Sequence, residues 1–133
     1  MFIEAFQLAY KYHNGQLRKQ SCVPYIVHPY RVSCCFQDDF KKTIAILHDI
    51  VEDTDMTLEE LQKHFPPYVV CRIDYLTRRE GEKHFDYIKR GKNDEVATEI
   101  KIADIMDNLS DTICVVEKSM ADRYNKSLKI LLK

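Results

Sequence analysis

Glycine and proline are scarce in this sequence, at 3 and 4 of 133 residues. Many-stranded sandwiches and barrels use these residues to turn the chain at short, regular intervals, so the scarcity excludes such folds and leaves helix as the expected class. An excess of charge of one sign is also missing: 20 Lys and Arg stand against 21 Asp and Glu, a formal net charge of −1. A protein that grips nucleic acid by bulk positive charge is thereby excluded, and no nucleic-acid partner is expected. No stretch approaches the roughly 20 apolar residues that a membrane span needs. The opening Met1-Phe2-Ile3-Glu4-Ala5-Phe6 lacks a basic segment ahead of an apolar one, so neither a signal peptide nor a membrane partner is expected. The five cysteines (Cys22, Cys34, Cys35, Cys71 and Cys114) are odd in number and never spaced as CxxC. That pattern disfavours a disulfide framework or a thiolate zinc site, and it fits buried or half-buried free thiols in a reducing, cytoplasmic setting.

What is present is helical periodicity. Phe2, Ala5, Phe6, Ala9, Tyr10 and His13 make an i, i+3, i+4 stripe that predicts a helix over 2–13, ended by Asn14-Gly15. Pro29 is placed as the first residue of a helix to about Phe36, and Asp38-Asp39 as the cap of a helix that is apolar almost all round through Val51. Thr57 and Glu60 form a capping box, Pro66-Pro67 opens a further helix, and residues 82–90 suit one or two amphipathic turns. Asn93 is expected to cap a helix through Leu109, and a final helix is expected over 112–132. The last helix could bury Val116, Met120 and Tyr124 within the chain or against a second copy, which leaves a homo-oligomer open. No alternating strand pattern, repeat or linker occurs, so the expectation is one all-α domain spanning 1–133.

Chemistry concentrates in four places. His48-Asp49 sits inside the apolar run from Ala45 to Val51, where two ionisable groups are costly unless something pairs them, and a divalent cation is a natural partner. Glu52 and Asp53 follow one turn later; the plain alternative for them is a solvated helix end. Asp104, Asp107, Asn108 and Asp111 recur at i, i+3, i+4, i+7. That stripe is either the wet face of an amphipathic helix or an acidic row that calls for a cation or a basic partner. His28 lies in Pro24-Tyr25-Ile26-Val27-His28-Pro29, where a packing role competes with a ligand role. Together His28, His48, Asp49 and Asp104 supply a mixed N/O donor set suited to Mn²⁺, Fe²⁺ or Zn²⁺, and Glu52 or Asp53 could orient an attacking water or move its proton. Arg18 and Lys19 form a basic pair that is either solvated or set against phosphates or a purine ring.

Read in order, Tyr12-His13-Asn14-Gly15-Gln16-Leu17-Arg18-Lys19, Pro24-Tyr25-Ile26-Val27-His28-Pro29, Leu47-His48-Asp49-Ile50-Val51-Glu52-Asp53-Thr54, Lys101-Ile102-Ala103-Asp104 and Asn108-Leu109 resemble the motif set of the RelA/SpoT-type HD hydrolase domain. The resemblance covers about residues 5–112. It implies an HD-domain helical bundle and a Mn²⁺-dependent phosphohydrolase that removes the 3′-pyrophosphate of the nucleotides ppGpp and pppGpp. It further implies that His28, His48, Asp49 and Asp104 ligate the metal and that Glu52 and Asp53 serve water activation and proton transfer. Arg18 and Lys19 would lie against the base, and Asn108 would bond the nucleotide. With no length left for the synthetase region of the long relatives, the expected activity is hydrolytic only. Two departures, Gln20-Ser21 after Lys19 in place of Ser-Gly and Asp111 in place of Thr, suit a neighbouring reading, an HD phosphohydrolase for another nucleotide or phosphomonoester. A catalytically silent helical module that binds a nucleotide or a protein would have no need of the four-ligand set.

Overall fold

A computed structural model describes residues 1–18, 22–110 and 118–133. The described chain is helical throughout: α1 (Phe2–His13), α2 (Val27–Ser33), α3 (Asp39–Leu47), α4 (Ile50–Asp53), α5 (Leu58–Leu61), α6 (Pro67–Tyr75), α7 (His84–Gly91), α8 (Glu95–Leu109) and α9 (Lys118–Leu131). Among the described residues strand-type pairing amounts to one isolated antiparallel bridge, Leu17 to Pro24. No helix among them is long and apolar enough to cross a membrane. The all-α expectation holds.

The apolar run after Asp38 becomes the centre of the molecule. Asp38 caps α3, its carboxylate accepting from the Lys41 N–H at 3.1 Å. Ile44, Ala45, Ile46 and Leu47 are then all completely buried, because α1, α2, α6 and α8 pack around them. Ala5 and Ala9 of α1, Val32 of α2, Val69 and Ile73 of α6 and Ile100 of α8 complete this core. Each fully buried Ile or Leu contributes roughly 1.5–3 kcal/mol. A second, smaller cluster, Tyr87, Ile88, Ile105 and Leu131, joins α7, α8 and α9, with Tyr124 and Leu128 packed against it. Tyr124 of the last helix, half-buried, therefore packs within the chain, whereas Val116 lies outside the described residues.

Several boundaries differ from the sequence expectation for identifiable reasons. α2 starts at Val27, so Pro29 is its third residue and not its first; it still falls in the first turn, where a missing N–H has no intrahelical partner to lose. Asp94, not Asn93, caps α8, its carboxylate accepting from the Ala97 N–H at 2.8 Å. α7 begins at His84, since Glu82 is drawn out of helix by Arg90, whose Nε lies 2.9 Å from it. The helix read as continuous to Val51 breaks after Leu47, and α4 starts afresh at Ile50. Cys22, Cys34, Cys35 and Cys71 are free thiols as expected, but all four are exposed, not buried; each falls in a loop or on the outer side or end of a helix. Cys114 lies outside the described residues.

Candidate metal centre and cavity

The break between α3 and α4 is where the chemistry gathers. His48 is the last residue of the α3 spiral, and its Nδ1 lies 2.6 Å from the Ala45 carbonyl, so the ring donates there and turns Nε2 inward. Asp49 follows with φ −105° and ψ 0°, the bridge conformation that ends one helix and opens the next. Its carboxylate accepts from the Tyr25 hydroxyl at 2.6 Å. His28 comes in from the second residue of α2, and Asp104 from the middle of α8.

These four side chains, drawn from three separate stretches, are buried together, and one donor atom from each lies within 4.8 Å of all the others. Asp104 Oδ1 is 2.8 Å from His28 Nε2 and 3.3 Å from His48 Nε2. Asp49 Oδ2 is 3.0 Å from His48 Nε2 and 3.6 Å from His28 Nε2. His48 Nε2 is nonetheless fully buried with no aligned hydrogen-bond partner. A buried lone pair facing two carboxylates and a second imidazole is the arrangement a divalent cation satisfies, so the donor set fits a metal ion. Burial opposes charge on the His48 ring, but Asp49 and Asp104 push its pKa well above the ordinary value. Burial likewise opposes ionisation of Asp104, yet Lys101 and His48 hold its carboxyl far below the usual carboxylate range. Lys101, half-buried beside the Tyr87 ring, reaches the other Asp104 oxygen at 2.7 Å.

Glu52 and Asp53 stand on α4 at the mouth of this cluster. Together with Asp49 they form a second group of carboxylates within 4.8 Å of one another. Glu52 accepts from the Arg78 backbone N–H at 2.9 Å, and Asp53 from the Tyr25 hydroxyl at 3.1 Å. Crowding by protein, with the negative charge of Asp49 behind it, raises both carboxyls above their ordinary values. Arg18 is buried on the opposite side: its guanidinium donates to Asn108 Oδ1 at 2.8 Å and lies 3.4 Å from Asp107 Oδ2. Asn108 in turn donates to Asp104 Oδ1 at 3.3 Å. Lys19, Gln20 and Asp111 lie outside the described residues. The wet-face alternative for the α8 stripe fails for Asp104 and Asp107, both buried, whereas the apolar Met106 between them is exposed, at 54%.

His28, Asp49 and Asp104 of the cluster, with Glu52 and Asp53, form the floor of a cavity of about 1050 Å³, and the fully buried His48 packs against them. The rest of the lining, its wall, carries the cations Arg78, Arg79 and Arg123, with Glu80, His84 and Tyr124 among them. Three participants were not singled out from sequence. Tyr25 bridges Asp49 and Asp53, Lys101 neutralises Asp104, and Asp107 sits behind His28. Tyr25 and Lys101 are inside the quoted motifs, which was the available signal. Asp107 had only its place in the α8 stripe.

No family model matches the chain. It is 34% identical to a guanosine-3′,5′-bis(diphosphate) 3′-pyrophosphohydrolase of Borreliella burgdorferi over 92% of its own length, but spans only 20% of that protein. Against the guanosine-3′,5′-bis(diphosphate) 3′-pyrophosphohydrolase MESH1 of Drosophila melanogaster it is also 34% identical, covering 83% of this chain and 68% of that one. A solved structure described as a metazoan ortholog of SpoT that hydrolyzes ppGpp superposes with a TM-score of 0.80 at 29% identity, over 98% of this chain and 83% of that one.

Proposed function

The chain belongs to the family of guanosine-3′,5′-bis(diphosphate) 3′-pyrophosphohydrolases, and we propose on that footing that it removes the 3′-pyrophosphate of (p)ppGpp, leaving GDP or GTP. The observation that carries this reading is the convergence of His28, His48, Asp49 and Asp104 on one buried point, with the His48 Nε2 lone pair unsatisfied. A divalent cation, Mn²⁺ in this proposal with Fe²⁺ or Zn²⁺ suited to the same donors, would be held by these four and would supply Lewis acidity toward a phosphoryl oxygen and toward water.

The chain's own residues supply the rest. Glu52 and Asp53 face the cluster from its open side and accept the proton of the attacking water; their raised pKa values bring them closer to neutral pH, where proton acceptance is most effective. Tyr25 holds Asp53 and Asp49 in fixed relation, and the Arg78 N–H holds Glu52. Arg18 and Asn108, with Lys19 next in sequence, meet the nucleoside side of the substrate, a role a planar guanidinium fills by stacking and by forked hydrogen bonds. Arg78, Arg79 and Arg123 face the phosphates across the cavity, whose volume accommodates a nucleotide bearing two diphosphate arms. The exposed free thiols support a reducing, cytoplasmic setting.

The test is incubation of the purified protein with ppGpp and Mn²⁺, following GDP and pyrophosphate, beside a panel of dNTPs and nucleoside monophosphates. Release of pyrophosphate from ppGpp that disappears in His48→Ala supports the reading. Turnover of another panel member in preference to ppGpp would replace the substrate while keeping the chemistry. Equal turnover in the His48→Ala protein would end it.

A further inference from the structure

An imidazole can offer Nε2 to a cation only if its proton sits on Nδ1, and that proton needs an acceptor. The two histidines of the centre solve this differently. His48 uses the Ala45 carbonyl, a neutral acceptor three residues back on its own helix. His28 uses Asp107, a carboxylate from α8, with Nδ1 to Oδ2 at 2.7 Å. Asp107 has no oxygen in the four-donor set and does not line the cavity. It is 8% exposed and lies between three partners: His28, the Arg31 guanidinium with Nε at 2.8 Å from Oδ1, and Arg18 at 3.4 Å from Oδ2. Two guanidiniums keep this carboxylate an acceptor while His28 donates to it.

We propose that Asp107 is a positioning residue of the metal centre: it fixes His28 as the tautomer whose Nε2 faces the cation and, through Arg18, ties that ring to the nucleotide side of the cavity. The placement makes α8 responsible for two things at once. Asp104 enters the donor set directly, and Asp107, one turn later, orients a ligand that arrives on α2 from 79 residues away. A carboxylate behind an imidazole makes Nε2 a stronger donor than a carbonyl does, so the contribution of His28 depends more on its support than that of His48. Arg18 shares the Asp107 carboxylate and also holds Asn108, which bonds Asp104. Loss of Asp107 therefore releases a ligand and a substrate-facing cation together.

This inference rests on the four-donor metal reading, and the test separates the two. Isothermal titration of the metal-free protein with Mn²⁺ is run on wild type, Asp107→Asn and Asp107→Ala. Long-range ¹H–¹⁵N correlation of the imidazoles is recorded on the metal-free proteins, and circular dichroism confirms folding. Asp107→Asn keeps an acceptor of the same shape but removes its charge, and it should weaken Mn²⁺ about 10-fold; Asp107→Ala should weaken it by up to about 100-fold. The hydrogen-bonded Nδ1–H resonance of His28 should be lost in the alanine variant while that of His48 is kept. If Asp107→Ala does not fold, the asparagine variant decides alone by its affinity. Unchanged Mn²⁺ affinity in a folded variant, or an unchanged His28 Nδ1–H resonance in Asp107→Ala, overturns the positioning role and leaves the metal site standing. Failure of the wild-type protein to bind Mn²⁺ overturns both.

Discussion

At the floor of the cavity, His28, Asp49 and Asp104, with His48 packed against them, are each less than a tenth exposed and are locked by neighbours on α2, α3 and α8. On the wall, Arg78, Arg79 and Arg123 are exposed to solvent at the ends of long side chains. The floor is an arrangement that costs folding energy: two carboxylates and two imidazoles are withdrawn from water with one lone pair left unsatisfied. The wall costs little, since its cations remain hydrated. On the proposed function, groups that hold one ion in one geometry are fixed by packing, whereas groups that offset the charge of a mobile polyanion need only be near it. Mutations on the floor should therefore act nearly all-or-none, and mutations on the wall should be graded and sensitive to salt.

The sharpest break is His48→Ala. It removes the unsatisfied donor and the ring that faces both carboxylates, so Mn²⁺ retention and turnover should fall together to background, measured by elemental analysis and by pyrophosphate release. A protein that keeps its metal without His48 would show the floor to be looser than its burial implies. Glu52→Gln comes next, at the boundary of the two regions. It should leave Mn²⁺ affinity within a few-fold of wild type while lowering kcat by about 10²–10⁴, the usual worth of a positioned proton acceptor. If metal is lost as well, Glu52 belongs to the floor. Arg123→Ala is graded: KM for the nucleotide should rise about 5- to 10-fold at low salt with kcat within about twofold, and the difference should shrink as salt is added, because an exposed cation is screened.

The same contrast governs how much was legible in the sequence. The motifs that hold the floor were readable because its residue types are unusual for their surroundings: His48-Asp49 in an apolar run advertises a partner. That the helix breaks there was not readable, since Ala45 to Val51 is good helix by composition, and the partner that holds the Asp49 side chain at the break, Tyr25, lies 24 residues away. Asp107 was visible only as one acid in a stripe, because the partners that give it meaning, His28 and Arg31, belong to another helix. The exposed cysteines were misjudged from residue type alone, a weak guide where helices are short and their outer sides face water. On the wall, nothing local in the sequence joins Arg78 and Arg79 to Arg123, which reaches the same cavity from α9.

The smallest expected effect reads the wall without any substrate. His84, the first residue of α7, hydrogen-bonds Ser127 at 3.1 Å, and its pKa is lowered to about 4, first by burial and then by the positive charges of Arg123, Lys101 and Arg78. In the unfolded chain a histidine takes up its proton near pH 6.5. As pH falls from about 6.5 towards 4 the unfolded state is therefore protonated while the folded ring is not, and stability is lost across that window; above it the ring is neutral in both states and contributes no pH dependence. Urea unfolding of the metal-free protein at pH 7 and pH 5 should show a smaller drop in His84→Gln than in wild type, and equal drops would mean that the wall exerts no such field on this ring. A bound polyanion must act in the opposite sense, because phosphates among Arg78, Arg79 and Arg123 cancel the charges that repel the proton. Titration of the His84 ring by NMR with inorganic pyrophosphate present should move its pKa upward from about 4, which ties the graded behaviour of the wall to the charge of what it holds.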